Sequence, residues 1–326
     1  MIAVTGANGL LGKFIISRLV QENLSVIAIA RQPNLPATNA LVTWRKADIN
    51  DPVSLSEALK GASCVIHAAA MVSFNPSLRK KIIETNVTGT KHVVDACLYL
   101  GISHLIHVSS VGALGKPKNA NLINEESKWL EGSFNTDYAE SKYLGEMEVF
   151  RAHEEGLSVS IIVPSVILSP GDWTRSSAKL FKFVWDEKKF YTEGQFNYVD
   201  VRDVAEMIFK LYQNKKEANG KKFIANSGNV DFLKFFQQVA KRFGKKAPSI
   251  KVNASLINLA AFLELIRCKI TGSEPLIVAK TLRANREKFV YDNQKAVDQL
   301  KMKFRTLEET LDWCCEKYLA NNTINK

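Results

Sequence analysis

Short runs of consecutive apolar and β-branched residues punctuate the first half of the chain, at Ile2-Thr5, Leu24-Ala30, Leu41-Trp44, Cys64-Ala68, His104-Ser109 and Val159-Val163. Most of them are separated by longer segments whose apolar positions recur at helical spacing. Unbroken apolar runs are the mark of strands covered on both faces. Their alternation with helices specifies an α/β fold built on a parallel, doubly wound sheet. Right-handed crossovers then gather the carboxyl ends of the strands on one edge, where ligands of open α/β sheets bind. Chemistry is expected just after strands.

The regularity fades beyond Pro164. Ser169-Pro170-Gly171-Asp172 marks a loop, and the helical patterns Phe232-Phe243 and Ala254-Ile266 are not followed by comparable strands, which predicts a smaller, mostly helical C-terminal substrate lobe. A strand-like pair, Phe196-Val201 and Lys222-Ala225, brackets the helical stretch Asp203-Asn214. The expected organisation is therefore interleaved. Residues 1–165 form a nucleotide-binding domain to which 196–226 return, and residues 166–195 and 227–326 form the lobe.

Composition narrows the classes. With 46% hydrophobic and 24% charged residues the chain can bury a sizeable core. The net charge of +11 is spread over short pairs such as Lys215-Lys216, Lys221-Lys222 and Lys245-Lys246. That scatter argues against a nucleic-acid partner and for a solvated basic surface that favours anionic ligands. Cys64, Cys97, Cys268, Cys314 and Cys315 are odd in number and lack metal-ligand spacing, so thiols in a reducing compartment and no metal are expected. Met1 runs straight into a strand with no basic segment before it, and the apolar stretch Ala254 to Ile266 is too short for a bilayer. A cytoplasmic location with no membrane span is expected.

Thr5-Gly6-Ala7-Asn8-Gly9-Leu10-Leu11-Gly12 follows the first strand directly and opens the helical segment Leu10-Gln21. Glycines there permit a tight turn and close approach of backbone to a pyrophosphate, and the helix start offers unpaired N–H groups. The pattern alone is weak; its place between the first strand and first helix makes it a dinucleotide site of the Rossmann type. In such a site a carboxylate about twenty residues on selects NAD. Here the position reads Ala30-Arg31, and a guanidinium able to pair with a 2′-phosphate favours NADP over NAD. The Gly-x-x-Gly-x-x-Gly spacing resembles that of the extended short-chain dehydrogenase/reductases.

Tyr138-Ala139-Glu140-Ser141-Lys142 puts a phenol and an ammonium on one helical face. The same spacing occurs at Tyr212/Lys216 and Tyr291/Lys295, so register must choose. Only Tyr138 lies between the strand His104-Ser109 and the strand Val159-Val163 that completes the cofactor edge. A phenol is a poor acid/base near neutrality, but a neighbouring ammonium and an oxidised nicotinamide both favour its phenolate. A hydroxyl beside it would hydrogen-bond a substrate oxygen as charge develops there. In Ser109-Ser110-Val111-Gly112-Ala113-Leu114-Gly115, Ser110 sits five residues before the glycine, as the corresponding residue of the resembled family does. The catalytic set is Ser110, Tyr138 and Lys142.

Further segments resemble the same superfamily and its NAD-dependent epimerase/dehydratase family: His67-Ala68-Ala69-Ala70, Asn86-Val87-Thr88-Gly89-Thr90, Pro164-Ser165-Val166, Tyr198-Val199-Asp200-Val201-Arg202-Asp203-Val204-Ala205 and Tyr291-Asp292-Asn293-Gln294-Lys295-Ala296. Ala70-Met71-Val72-Ser73-Phe74 and the stretch Ile161 to Leu168 are most similar to the dihydroflavonol 4-reductase and 3β-hydroxysteroid dehydrogenase branches. The resemblance implies cofactor contacts by Gly6, Asn8, Gly9, Leu10, Leu11, Gly12, Arg31, Asp48, Ile49, Ala68, Ala69, Tyr138, Lys142, Pro164 and Val166. It gives Asn86 a supporting role, while His67 reads as a packed strand residue. It leaves open a homodimer paired through helices at Leu78-Leu100 and Tyr138-Gly156 and a monomer, since relatives of both kinds occur. The implied function is an NADPH-dependent reductase, or reversible alcohol dehydrogenase, of an apolar or partly aromatic ketone or aldehyde. Trp173, Phe181, Phe183 and Trp185 suit such a substrate. A nucleotide-sugar epimerase with retained cofactor and a non-catalytic NADP-sensing protein are the alternatives. Val111-Gly112 supplies no acidic pair of the kind a dehydratase carries.

Overall fold

The computed structural model describes residues 1–32, 39–116, 122–132, 135–173, 177–252, 267 and 289–324. The expected helix Ala254-Ile266 and Cys268 lie outside them. The fold is α/β, and its centre is a seven-stranded parallel sheet in the order Lys221–Ala225 (β11), Val159–Pro164 (β7), His104–Val108 (β5), Cys64–His67 (β4), Ile2–Thr5 (β1), Val26–Ala30 (β2) and Val42–Lys46 (β3). Strands β1, β4, β5 and β7 are buried along their whole length, as their unbroken apolar runs require. The order reverses between β1 and β4, so the crevice of the sheet opens there, beside the glycine turn.

Helices cover both faces. Leu10–Gln21 (α1) and Val201–Gln213 (α7) pack together on one face, over a core that includes Ile15, Leu19, Ile66, Ile106, Val204 and Ile208. Pro52–Leu59 (α2), Gly89–Tyr99 (α4) and Asp137–Glu154 (α5) cover the other, over Leu55, Leu59, Val93, Leu105 and Val149. Local sequence fixes their starts. Asp51 accepts the N–H groups of Val53 and Ser54 ahead of α2, Thr136 accepts that of Ala139 ahead of α5, and Asp200 accepts that of Arg202 ahead of α7.

Two elements differ from expectation. The helix expected over Leu78-Leu100 is interrupted: Arg79–Ile83 (α3) is followed by a π-turn, Glu84–Thr88, before α4. The wider turn carries Asn86, whose side chain is engaged with two neighbouring segments at once (below), a use typical of π-bulges. The strand pair expected to return together is also split. Lys221–Ala225 joins the central sheet beside β7, whereas Gln195–Asp200 (β10) belongs to a separate sheet with Val166–Leu168 (β8) and Gly228–Asp231 (β12).

Beneath that second sheet, Ala178–Trp185 (α6), Phe232–Phe243 (α8) and Leu307–Ile324 (the C-terminal helix) enclose a third, aromatic core. Phe181 packs on Phe235 and Tyr318, Phe183 stacks on Phe236, and Trp173 and Trp185 meet Phe243. The aromatic residues expected to suit an apolar substrate are therefore used largely in packing, because a small lobe needs their volume to form a core.

Gly145 of α5 lies against the π-turn, where a Cβ would stand 2.8 Å from the Asn86 carbonyl oxygen. Gly145→Ala is expected to destabilise the fold by about 1–3 kcal/mol. Urea unfolding would show this as a lower midpoint at unchanged slope, and an unchanged midpoint would contradict the packing.

Candidate active site

The glycine turn is close-packed in a way that only hydrogen in place of a side chain allows. Gly6 has φ +68° and a Cβ there would lie 2.8 Å from the Ala69 Cα; one on Gly12 would lie 2.3 Å from the Gly6 oxygen. The end of β4 is thereby pressed against the turn, and the Ala69 N–H reaches the Thr5 hydroxyl at 3.2 Å. Gly9, the residue before α1, offers no side-chain cap, and the first turn of α1 holds no acidic residue. An uncapped, unopposed helix start at the switch point of a parallel sheet fits the pyrophosphate of a dinucleotide.

The other residues expected at the cofactor surround this crevice unevenly. Arg31 is exposed immediately after β2, and Asn8 reaches the Gln32 carbonyl at 3.4 Å. Asp48 is half-buried and accepts the Asn50 N–H at 3.0 Å. Ile49 is buried against Gly89, so its side chain belongs to the core. Pro164 ends β7, and Val166 beyond it is exposed.

Across the crevice, α5 brings Tyr138 and Lys142 beside the end of β5. Burial pushes the Tyr138 phenol up, opposed by a hydrogen bond with Ser110. Ser110 Oγ itself accepts the Gly112 N–H at 3.1 Å, leaving its proton free to be given. The neighbouring Ser109 is turned away and donates to Glu146, so Ser110 rather than Ser109 stands at the tyrosine. Lys142 is 2% exposed. Its Nζ donates to the Val108 carbonyl at 2.7 Å and lies 3.5 Å from His107 Nε2. Burial lowers its pKa to about 8, with Glu146 acting in the other direction. The two other pairs of the same spacing are elsewhere: Tyr291 is a buried core residue, and Tyr212 lies on α7.

Asn86 fastens this helix in place. Its Oδ1 accepts the Met71 N–H at 2.7 Å, and its Nδ2 lies 2.9 Å from both the Met71 oxygen and the Ser141 hydroxyl. Ser141 in turn donates to the Tyr138 carbonyl at 2.7 Å. His67, expected only to pack, is also a link. Thr5 Oγ1 lies 2.8 Å from Nδ1 and Thr90 Oγ1 lies 3.0 Å from Nε2. Thr90 gives its own proton to the Asn86 carbonyl at 2.7 Å, so His67 must donate from Nε2 and accept at Nδ1. The sequence reading passed over Thr5, His107, Glu146 and Lys222. Only Glu146 left a readable trace, as the third member of a four-residue rhythm, Tyr138, Lys142, Glu146.

This architecture has known relatives. The chain belongs to the NAD-dependent epimerase/dehydratase family, whose model matches residues 2–225. It is an NAD(P)-using oxidoreductase of that family. A Synechocystis sp. protein with the provisional name dihydroflavonol 4-reductase is 25% identical over 314 residues, 94% of this chain and 91% of its own. The yeast methylglyoxal/isovaleraldehyde reductase complexed with NADPH superposes with a TM-score of 0.78 at 19% identity, covering 99% of each chain. UDP-glucose 4-epimerase of Thermotoga maritima with UDP-glucose gives 0.79 at 18% identity, covering 98% of this chain and 99% of its own. These two structures share the fold. Among the described residues no helix is long and apolar enough to cross a membrane.

Two imidazoles buried at the site set a pH dependence. Burial lowers His67 to about 3 and His107 well below 6.5. In the unfolded chain both protonate as pH falls through 6.5, and in the folded chain they do not. Stability is therefore full above that value and is lost on acidification, by about 1.4 kcal/mol per pH unit for each imidazole. Urea midpoints should therefore respond to pH between about pH 6 and about pH 5, with His104, lowered by burial to about 4, adding to the loss and Asp203, raised by burial to about 6, opposing it; His67→Asn should remove one imidazole's share, about 1.4 kcal/mol per pH unit. A midpoint constant over that interval would contradict neutral burial.

Proposed function

We propose that this protein is an NADPH-dependent reductase of an apolar or partly aromatic ketone or aldehyde, working reversibly as an alcohol dehydrogenase. The observation that carries the reading is the placing of the Tyr138 phenol against Ser110, with Lys142 one turn along the same helix at a pKa of about 8. In this reading, residues 1–165 with part of 196–226 hold the cofactor, and 166–195 and 227–326 cover the substrate.

The cofactor is held by backbone at Gly6, Asn8, Gly9, Leu10, Leu11 and Gly12, with Asp48 and Ile49 on the adenine side. Ala68, Ala69, Pro164 and Val166 bound the nicotinamide side. Bound NADPH supplies the hydride that reaches the carbonyl carbon. Tyr138 donates its phenolic proton to the carbonyl oxygen, completing the alcohol. Ser110 hydrogen-bonds that oxygen as its charge grows. Lys142 stabilises the phenolate left on Tyr138 and holds the nicotinamide ribose. The choice of NADP rests on Arg31, an exposed guanidinium at the end of β2 where an NAD site has a carboxylate.

The apolar substrate rests on the side chains left at the tyrosine. Phe74 meets the Tyr138 ring edge-on with ring centres 5.9 Å apart and is 37% exposed, and Val72, two residues before it, is exposed as well. Exposed apolar groups around a proton donor favour a partner that covers them. The shared fold of the Thermotoga epimerase keeps a second reading in view, in which hydride is returned to the same substrate and no NADPH is consumed.

NADPH oxidation, followed by absorbance against a panel of ketones and aldehydes, tests the proposal. Turnover should appear with NADPH and fall by roughly 10²–10⁴-fold in Tyr138→Phe, with cofactor binding retained. A folded Tyr138→Phe protein with full turnover would overturn it, and tight NADPH binding without any reduction would favour the epimerase. Arg31→Ala should weaken NADPH binding about ten- to hundredfold and leave NADH binding unchanged. Equal losses for both cofactors would remove the case for NADP.

A further inference from the structure

Glu146 is a fully buried carboxylate, one α5 turn beyond Lys142 and two beyond Tyr138. Residues four apart on a helix are neighbours on one face. Ser109 at the end of β5 donates to one of its oxygens, and Lys222 of β11 lies 3.4 Å from the other. Lys142 is buried beside it, between the Val108 carbonyl and His107. Cation and carboxylate are each unfavourable in such a place without an opposite charge.

We propose that Glu146 is a positioning residue, the buried counter-charge that holds Lys142 as an ammonium beneath Tyr138, with Ser109 and Lys222 setting how much of that charge the lysine receives. The inference rests on the reading of Tyr138 and Lys142 as the catalytic pair.

The surrounding groups leave this task to Glu146. His107 of β5 accepts from Lys142 at Nε2, while its Nδ1 has no partner among the described residues; burial keeps the ring neutral. His67 of β4, whose ring centre is 5.3 Å from that of His107, is neutral for the same reason. Lys222 brings positive charge. Glu125, the other carboxylate that meets β11, accepts the Ile224 N–H at 2.8 Å. Tyr138, on the lysine's own helix, is an uncharged phenol at neutral pH. Among the described residues, Glu146 is the carboxylate that burial and helical spacing deliver to Lys142, and its charge opposes the downward pull of burial on the lysine.

The test reads the lysine directly in the full chain without cofactor or substrate. Lysine carries a ¹³C label at Cε, the Lys142 resonance is assigned through its loss in Lys142→Arg, and its titration is followed by NMR from about pH 6 to about pH 11. Glu146→Gln, of nearly the same shape, should lower the midpoint by about one to three units. Lys222→Met, at a partly exposed site, should raise it, because a like charge is removed and the carboxylate is freed. Opposite shifts from two neighbours are not what a purely structural role would give. An unchanged midpoint in Glu146→Gln, or a fall in Lys222→Met, overturns the pairing. If Glu146→Gln does not fold, Lys222→Met decides alone: a rise supports the pairing and no rise overturns it. Where NADPH turnover is measurable, the pH profile of kcat should move with the NMR midpoint. Titration shifts without any carbonyl reduction would leave the pairing intact and defeat the proposed reaction; the converse result would do the opposite.

Discussion

The constraint on which the site depends is a polar seam buried between α5 and the central sheet. An ammonium, a carboxylate and two imidazoles lie there, where each unpaired group costs several kcal/mol. Their presence is tolerable only because all but one of their polar atoms, His107 Nδ1, have partners among the described residues, which come from the end of β5 and from β1, α4 and β11. Lys142 reaches the Val108 carbonyl at the end of β5, and Glu146 meets Ser109 one residue later. The seam therefore fixes the height of α5 along the sheet, and with it the position of Tyr138 over the strand ends. The close contact of Gly145 with the π-turn follows, since the helix cannot withdraw without breaking the seam.

The same economy joins the seam to the phosphate turn. Thr5 has a single hydroxyl proton. It receives the Ala69 N–H and so must give that proton to His67, which passes a donor on to Thr90 and thence to the Asn86 carbonyl. One neutral imidazole in one tautomer thus connects β1 and β4 at the glycine turn to the segment that fastens α5. A charged His67 would have two donors facing Thr5 and Thr90, and the Thr5 proton would lose its acceptor. The low pKa of this histidine is a condition of the geometry between the glycine turn and α5, beyond its being buried.

What the sequence disclosed follows from which constraints are local. Strands covered on both faces must be apolar throughout, so β1, β2, β4, β5 and β7 were readable as runs. The glycine turn was readable from its place between strand and helix. Tyr138 and Lys142 needed register as well as spacing, because two other pairs shared the spacing. Gln195–Asp200 misled because a buried strand carries no mark of the sheet it joins, and its partners β8 and β12 are brought to it by the fold. Glu146 was legible only as a spacing, because a helical glutamate ordinarily reads as a solvated face; the arrival of Ser109 and Lys222 from distant strands is what marks it as a buried group. Trp173 and Trp185 were ambiguous for the opposite reason, since large aromatic side chains serve a small core and an apolar ligand alike.

The interleaving of the chain has its own physical basis in α7. This helix packs against α1 along the central sheet, yet it starts directly from β10 of the second sheet. Around its first turn, Asp200 pairs with Arg202, whose guanidinium lies 3.9 Å from the centre of the Trp313 ring, and Asp203 pairs with Arg305. Burial raises Asp203 to about 6, with Arg305 acting against it. The C-terminal helix that closes the aromatic core is therefore tied to the same turn that leaves the second sheet. A chain that crossed once between the two sheets would have to rely on one linker to hold them together. By returning through α7, this chain joins both sheets through one helix, which packing and paired charge tie to the C-terminal helix.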